Sequence, residues 1–261
     1  MTLAIVRQIA ATLARAEVTH IERVPVDVDA ARTQHARYHA VLSELGCRVH
    51  ALPADERYPD CVFIEDTAIV LDELAVLTRP GADSRRGETA AVAPVLAERR
   101  QLRTIDAPGT LDGGDVLVLG RRVLVGRTAR SDDAGIRALA DLVTEHGYEV
   151  VPVDVQGCLH LKTACCALAA DLVLVNPAFV DVDTFAGCEL IIVDEREPFA
   201  ANALALNGRV IYPEEHVRTA DALRARGCDL ALVPNRELAK LEGGVTCCSL
   251  IVPAALGSRS A

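Results

Sequence analysis

Aromatic residues and long hydrophobic segments are both scarce in this chain. Aromatic residues make up 3% of its 261 positions and tryptophan is absent, which disfavours the stacking platforms that bind bases or sugars. No segment approaches the roughly 18 consecutive apolar residues of a membrane-spanning helix. The N-terminal segment carries Arg7 and Arg15 inside its apolar part, whereas the charges of a secretion signal precede that part. We therefore expect a cytoplasmic protein that does not act at a membrane.

Positive charge is the other scarcity. The chain has 27 Lys and Arg against 37 Asp and Glu, a formal net charge of −10 at pH 7. This balance argues against a nucleic-acid or anionic-membrane partner, and it suits a small cationic substrate. The sequence does not fix the oligomeric state, and a homodimer is compatible with it.

Cysteine is plentiful, but it lacks the spacing of a metal or redox site. The nine cysteines include two adjacent pairs, Cys165/Cys166 and Cys247/Cys248. There is no CxxC motif, so neither a zinc finger nor a thioredoxin-like site is indicated. An odd count in a chain of this length indicates a reducing compartment, with most of the cysteines inert in the core and one of them reactive.

Short apolar strands that end near Pro or Asp recur five times. Their starts are 55, 46, 40 and 40 residues apart. A helix-like pattern precedes the first, second, third and fifth, and two β-rich runs around a polar turn follow each of the first four. The five strands are CRVHALP (47–53), LRTIDAP (102–108), YEVVPVD (148–154), CELIIVD (188–194) and CDLALVP (228–234).

This repeat predicts the fold. Apolar strands that alternate with helices indicate an α/β protein, most often a doubly wound sheet. Five units, each too small to bury a core of its own, fit a closed ring of small sheets better. The N-terminal strand LAIVRQI completes the circuit. We therefore predict one catalytic domain over residues 1–261, a five-bladed pseudo-symmetric α/β propeller of strand-hairpin-helix repeats.

Polar, reactive residues recur at one place in this repeat, between the apolar strand and the hairpin. Asp66, Asp112, His160, Asn202 and Cys247 follow one another at steps of 46, 48, 42 and 45 residues. Each residue taken alone has an ordinary structural explanation, as a core cysteine, a buried histidine or a turn aspartate. Equivalent positions in a ring surround its axis, so the shared phase predicts that these groups converge on a single pocket.

Five segments resemble a known family. They are PDCVFIEDTAIV (59–70), LTRPGADSRR (77–86), LDGGDVLVLGRRVLVG (111–126), LHLKT (159–163) and GGVTCCS (243–249). In this order they resemble the guanidine-modifying α/β-propeller (pentein) superfamily and, within it, the dimethylarginine dimethylaminohydrolase family. The resemblance implies a five-bladed ring. It also implies hydrolysis of Nω,Nω-dimethyl- and Nω-monomethyl-L-arginine to L-citrulline and an amine through a covalent cysteine thiouronium, with no metal or organic cofactor.

The resemblance also implies roles for individual residues. It makes Cys247 the nucleophile, His160 the proton-transfer residue and Asp112 the third catalytic group. Paired carboxylates can fix the plane of a guanidinium, and we expect Asp66 and Asp112 to do so. The substrate contacts that it implies are Asp60, Glu65, Asp66, Arg85, Arg130, a backbone carbonyl near Leu241 and a lid residue at Val18.

Three alternatives stay open at this point. An arginine deiminase or an amidinotransferase can use the same scaffold. Arginine deiminases carry Asp where this chain has Lys162, and a buried carboxylate there would reject a dimethylated nitrogen that has no N–H to donate. A non-catalytic zinc- or ligand-binding protein is the remaining alternative, although the sequence has no metal-ligand spacing. Even in an enzyme, Zn²⁺ could bind Cys247 and His160 as an inhibitor.

Overall fold

The structure is a computed structural model that describes residues 1–254. Fifteen short strands form five separate three-stranded sheets. The strands are β1 (Leu3–Arg7), β2 (Arg48–Leu52), β3 (Ala68–Val70), β4 (Leu74–Leu77), β5 (Gln101–Thr104), β6 (Val116–Leu119), β7 (Arg122–Arg127), β8 (Glu149–Asp154), β9 (Cys165–Ala169), β10 (Leu172–Val175), β11 (Glu189–Ile192), β12 (Leu204–Leu206), β13 (Arg209–Pro213), β14 (Leu230–Val233) and β15 (Leu250–Val252).

The helices follow the predicted pattern. They are α1 (Val28–Glu44), α2 (Thr89–Ala97), α3 (Asp133–Val143), α4 (Leu161–Ala164), α5 (Val217–Ala225) and α6 (Arg236–Ala239). Asp132 caps α3 by accepting a hydrogen bond from the backbone N–H of Gly135. The same helix buries Ile136, Leu139 and Val143 on one face, and each such side chain contributes about 1.5–3 kcal/mol through burial. None of the helices in residues 1–254 is both long and apolar enough to cross a bilayer.

All five sheets share one topology. In four of them an antiparallel hairpin is followed by a crossover to a third, parallel strand, in the orders β3-β4-β5, β6-β7-β8, β9-β10-β11 and β12-β13-β14. The predicted hairpins are confirmed. The crossover before β11 has only the 3-10 helix Val182–Phe185, in the short segment where the sequence shows no helical pattern. In the fifth sheet β1 pairs with β15 from the other end of the chain.

The sheets form a ring, because each core cluster joins two neighbouring sheets. One cluster joins the sheet of β1 to the sheet β3–β5, the next joins β3–β5 to β6–β8, and the third joins β6–β8 to β9–β11. The fourth joins β9–β11 to β12–β14, and the last joins β12–β14 back to the sheet of β1. Each sheet therefore contributes to two clusters, and the predicted five-bladed α/β propeller is confirmed. We number the blades by their hairpins, with β3–β5 as blade 1 and β15-β1-β2 as blade 5.

The turn before each hairpin lies at the centre of the ring. In three blades it is a 3-10 helix, Ile64–Thr67, Gly113–Asp115 and Thr246–Cys248, and in blade 3 it is the short helix α4. The 3-10 turns of blades 1 and 2 contact each other, as do those of blades 1 and 5. The turns next to Asp66, Asp112, His160 and Cys247 therefore meet at one place, whereas Asn202 of blade 4, expected in the same pocket, lines an adjoining cavity.

Candidate active site

A small cavity at the centre of the ring collects most of the predicted site residues. About 20 Å³ of its space is open to water, which is enough for about one water molecule. Seven of the ten residues singled out in the sequence line this cavity, and Asp112 lies one hydrogen bond behind it. The seven are Asp60, Asp66, Arg85, Arg130, His160, Leu241 and Cys247. Cys247 and His160 are 181 and 94 positions from Asp66, so only the ring brings the three together.

His160 is held between carboxylates. Its Nε2 donates to Asp112 Oδ2 at 3.0 Å, while its Nδ1 lies 3.9 Å from Asp66 Oδ1, beyond hydrogen-bond distance. Burial alone would lower the pKa of His160. The charges of Asp66 and Asp115, together with the hydrogen bond and charge of Asp112, outweigh burial and raise the pKa to about 9. The imidazole is therefore protonated at neutral pH and can give up the proton on Nδ1.

Asp66 is ionised and held rigidly. Its Oδ2 accepts from Arg85 Nη1 at 2.6 Å, and its Oδ1 accepts from the backbone N–H of Gly114 at 2.9 Å. Burial would raise the pKa of Asp66, but the positive charges of His160 and Arg85 lower it to about 2. The carboxylate therefore presents a negative charge to the cavity at all physiological pH values.

Most of the N–H donors of Arg85 are hydrogen-bonded to other groups of the protein. Its Nε and Nη2 donate to the two oxygens of Glu88 at 3.1 and 2.9 Å, and Nη2 also donates to the carbonyl of Phe63. With Nη1 bound to Asp66, the guanidinium has no pair of adjacent free donors. The substrate contact that the resemblance implies for Arg85 would thus require part of this buried cluster to open.

Arg130 has looser contacts. Its Nη1 and Nη2 lie 4.0 Å from Asp112 Oδ2 and 3.7 Å from Glu17 Oε2. The guanidinium is buried and lines the cavity together with Asp60, whose carboxylate accepts from the backbone N–H of Glu17. Burial raises the pKa of Asp60 to about 6, although the charge of Arg85 opposes the rise. This end of the cavity offers one cation and one acid, a pattern suited to the two charged groups of an α-amino acid.

The thiol of Cys247 lies beneath a backbone N–H. Gly244 donates this N–H to Sγ at 3.2 Å. Burial and the charges of Glu65 and Asp66 raise the pKa of Cys247 well above its usual value, and the Gly244 contact opposes them only in part. The Cys247 thiol is therefore neutral at pH 7, and a cation next to Sγ is needed to favour the thiolate.

Glu65 does not line the cavity around Cys247, although the resemblance implied that it contacts the substrate. Its Oε1 accepts from Lys162 Nζ at 2.6 Å and its Oε2 accepts from Thr246 Oγ1 at 2.7 Å. It lines a separate cavity with Lys162 and Ser249 rather than the one around Cys247. Asn202 joins the same network, because its Nδ2 donates to Thr246 Oγ1 and to the carbonyl of Lys162. The network ties four blades together beside the nucleophile.

The segment around Val18 covers the cavity through its neighbours. Val18 packs on the core cluster that contains Phe63 and Leu241 and does not line the cavity. Glu17 does line it. Glu242 also lines it, and its carboxylate accepts from the backbone N–H groups of Thr19 and His20 at 2.6 and 2.9 Å. Glu242 thereby links the segment over the cavity to the nucleophile loop. The sequence reasoning missed both glutamates, since no local pattern marks them.

Asp115, the last residue of the LDGGD motif, was also not among the site residues predicted from the sequence. It is fully buried and its Oδ1 accepts from the backbone N–H of Leu161, the residue after His160, at 2.9 Å. Its Oδ2 accepts from the hydroxyl of Ser131, whose Oγ in turn accepts from the backbone N–H of Asp112. Asp115 therefore positions the segments that carry His160 and Asp112. Its polar neighbours, distant in sequence, gave no signal.

The histidine should make stability depend on pH. The folded pKa of His160, about 9, lies above its ordinary value of 6.5, so the folded state binds one more proton than the unfolded chain between these values. Its contribution is complete below pH 6.5 and is lost as the pH rises to 9, with a limiting slope of about −1.4 kcal/mol per pH unit. Urea unfolding at several pH values should show this slope in the difference between the wild type and His160→Gln. A pH-independent difference would contradict the assigned charge.

Known proteins share both the sequence and the fold. The sequence model of the family described as N,N dimethylarginine dimethylhydrolase, eukaryotic, matches residues 21–248. The N(G),N(G)-dimethylarginine dimethylaminohydrolase of Streptomyces coelicolor is 37% identical over 249 residues, which cover 95% of this chain and 95% of that protein. The protein of the same name from Pseudomonas aeruginosa is 34% identical over 226 residues, which cover 86% of this chain and 89% of that protein.

Solved structures share the fold. A Pseudomonas aeruginosa structure in which a cysteine is replaced by serine, complexed with citrulline, has a TM-score of 0.91 at 33% identity and covers 95% of this chain and 98% of that one. An adduct of a dimethylarginine dimethylaminohydrolase with S-methyl-L-thiocitrulline gives 0.92 at 32% identity, with 96% and 100% covered. The N-terminal domain of ArgZ, a cyanobacterial arginine dihydrolase, gives 0.83 at 20% identity, with 98% and 100% covered, a likeness in fold alone.

Proposed function

The chain belongs to the dimethylarginine dimethylaminohydrolase family, and we propose that it hydrolyses Nω,Nω-dimethyl- and Nω-monomethyl-L-arginine to L-citrulline and an amine by means of Cys247, His160, Asp112 and Asp66. The observation that carries this proposal is the single cavity shared by a thiol, an imidazole and a buried carboxylate. Each of these groups has a separate task in displacing an amine from a guanidinium.

Binding comes first in the proposed mechanism. The negative charge of Asp66 holds the guanidinium and fixes its plane. Asp112 accepts from His160 and lies within the same group of close carboxylates, so it orients the imidazole while completing the negative wall. At the other end of the cavity, Arg130 binds the α-carboxylate and Asp60 accepts from the α-ammonium group. Arg85 does not contact the substrate in this mechanism, and it positions Asp66 instead.

Bond formation follows. The substrate cation beside Sγ lowers the pKa of Cys247, the thiol releases its proton to solvent, and the thiolate attacks the guanidinium carbon to give a tetrahedral adduct. The C–N bond to the methylated nitrogen then breaks, the proton on His160 Nδ1 goes to that nitrogen, and the amine leaves. The resulting thiouronium is attacked by water, which gives a proton to His160. Loss of the thiol yields citrulline and restores Cys247. Each step is assigned to a side chain, and no cofactor enters the mechanism.

The preference for methylated substrates rests on Lys162. At this position the chain lacks the carboxylate that arginine deiminases carry, and the Lys162 ammonium is bound to Glu65 in a separate cavity, so the position presents no acceptor that a dimethylated nitrogen would leave unsatisfied. An unsatisfied buried acceptor would cost about 1–3 kcal/mol. For this reason we favour methylarginine hydrolysis over arginine deimination or amidino transfer.

Three further points belong to the proposal. We propose a cytoplasmic location, because the nine cysteines, all within the described residues, are free thiols and a reducing compartment keeps them so. The substrate is a small cation, and a homodimer remains compatible with the chain. Zn²⁺ should inhibit by binding the Cys247 thiolate and His160, and a chelator should reverse the inhibition.

One assay separates these functions. Purified protein is incubated with Nω,Nω-dimethyl-L-arginine and with L-arginine, with and without an added amine acceptor, and ureido product, amine and ammonia are measured. We expect citrulline and dimethylamine from the first substrate without an acceptor, and at least 100-fold less product from arginine. Ammonia from arginine at a comparable rate would indicate a deiminase, and a requirement for the acceptor would indicate an amidinotransferase.

Arg130 provides a second test. Replacing Arg130 by Ala should lower kcat/KM for Nω-methyl-L-arginine about 100-fold, because a charge-assisted pair with the α-carboxylate is lost. The same substitution should change kcat/KM for Nω-methylagmatine, which lacks that carboxylate, by less than threefold. Equal losses with both substrates would contradict the assignment.

Arg85→Ala should instead cost about 3–5 kcal/mol of folding stability, since it leaves buried carboxylates unpaired.

A further inference from the structure

The central hole is lined unequally. Blades 1, 2, 3 and 5 direct charged or nucleophilic side chains to the reaction cavity, whereas blade 4 supplies Asn202, whose amide is bound to Thr246 and to Lys162. Beside blade 4 lies a second cavity of about 190 Å³. Most of its surface is apolar and comes from residues such as Ile21, Leu159, Phe199, Pro213 and Ala239, and the polar side chains of Thr163, Asn202, His216, Asn235 and Glu242 also line it.

This blade-4 cavity adjoins the reaction cavity next to Cys247 and His160. Leu159, Glu242 and Gly243 line both cavities. Gly244 lines the blade-4 cavity and donates its N–H to Cys247 Sγ, so the two spaces meet within a residue of the nucleophile. Leu159 directly precedes His160, the group that protonates the departing nitrogen. A substituent on that nitrogen is therefore next to the blade-4 cavity.

We propose that the blade-4 cavity receives the substituent of the scissile guanidine nitrogen, and that the enzyme therefore accepts Nω-alkyl-L-arginines with chains longer than methyl. This inference rests on the proposed function. The alkyl chain passes Leu159 and lies against the apolar wall, while the guanidinium keeps its contact with Asp66. When the C–N bond breaks and the nitrogen takes the proton of His160, the neutral alkylamine is already in this cavity.

The size and polarity of the cavity set the substrate class. Its volume is nearly ten times the space open to water in the reaction cavity, so a linear chain of three carbons fits without displacing the guanidinium. Each buried methylene gains about fourfold in binding, which favours a linear alkyl group over a polar or charged one. Phe199, 41% exposed, lines the cavity and packs at a tilt against Phe179, and the chain of the substrate would cover this apolar surface.

The test compares Nω-propyl- with Nω-methyl-L-arginine. In the wild type we expect values of kcat/KM within 20-fold of each other. Ala239→Phe, which fills the blade-4 cavity from α6, should lower the propyl/methyl ratio at least tenfold. The matched control is Ala225→Phe at the exposed end of α5, which lines neither cavity and should leave the ratio unchanged. A wild-type kcat/KM for the propyl compound more than 20-fold below that for the methyl compound would overturn the inference. The same propyl/methyl ratio in Ala239→Phe and Ala225→Phe would also overturn it.

A binding measurement separates this inference from the proposed function. In the Cys247→Ser background, calorimetry should show that propylarginine binds at least as tightly as methylarginine, and that Ala239→Phe weakens only the former by tenfold or more. Weaker binding of the propyl compound in that background contradicts the blade-4 assignment whether or not turnover occurs. Absence of citrulline formation from dimethylarginine by the wild type contradicts the proposed function instead.

Discussion

Cys247→Ser should abolish turnover of Nω,Nω-dimethyl-L-arginine, with a loss in kcat of at least about 10⁴-fold. A serine hydroxyl in this cavity has no base that could ionise it, because the charges of the neighbouring carboxylates keep His160 protonated. A thiol ionises far more readily when the substrate cation arrives. The loss is measured as citrulline formed per enzyme under saturating substrate, with thermal unfolding to confirm that the variant is folded.

The neighbouring cysteine provides the control. Cys248 is buried in the core cluster of blade 5 and contacts the carbonyl of Gly244, so it should behave as a packing residue. Cys248→Ala should keep kcat within about fivefold of the wild type, although it should lower the melting temperature. If Cys247→Ser stays active and Cys248→Ala does not, the nucleophile has been assigned to the wrong sulfur.

His160→Gly should slow turnover of dimethylarginine roughly 10³-fold, which is within the range expected for loss of a general acid and base. Both proton transfers are affected, because dimethylamine must leave protonated and water must be deprotonated to attack the thiouronium. The variant should therefore accumulate a covalent intermediate when the leaving group needs no proton. S-Methyl-L-thiocitrulline meets this condition, since methanethiolate can depart without an acid.

Mass spectrometry identifies that intermediate. After incubation of His160→Gly with S-methyl-L-thiocitrulline, the peptide that contains Cys247 should carry the added mass, and the wild type under the same conditions should show little of it. The double variant His160→Gly/Cys247→Ser is the control and should remain unmodified. Label on any other cysteine, or equal labelling of the double variant, would contradict the roles assigned to both residues.

The fold could be predicted from the sequence because the repeat is local. A strand, a helix and a hairpin each leave a pattern of their own in successive residues, and those patterns recur about every 45 residues. The ring then determines which residues meet, which is why Cys247, His160 and Asp66 could be grouped before the structure. The lack of an α-helix before β11 could also be predicted, since the segment that precedes it, VDVDTFAG (180–187), is too short for an amphipathic pattern.

The assignments that the structure modifies depend on direction and on distant partners. Glu65 and Asp66 are adjacent in the 3-10 helix Ile64–Thr67, where successive side chains point about 120° apart. Asp66 therefore faces the cavity and Glu65 faces Lys162. Likewise Arg85 and Glu88 lie three residues apart in the 3-10 helix Asp83–Glu88 and share a face, so the guanidinium is paired with its own helix.

Partners far apart in the chain left no trace in local patterns. Glu242 binds the backbone of Thr19 across 223 positions, and Asp115 reaches Leu161 across 46. Both contacts use backbone donors, which no side-chain motif can reveal. The glycines of LDGGD show the same dependence on packing. A Cβ on Gly114 would lie 2.7 Å from both His160 Nδ1 and Asp66 Oδ1, so the reason for glycine there becomes clear only once the two side chains are placed.

A crystal structure of Cys247→Ser with Nω,Nω-dimethyl-L-arginine tests the central claim most directly. We expect the guanidinium carbon to face the Ser hydroxyl in the cavity shared with His160, its nitrogens to contact Asp66, and its methyl groups to point past Leu159 towards the blade-4 cavity. A substrate bound against Glu65, or anywhere outside that cavity, would contradict the claim that the five blades assemble a single catalytic centre.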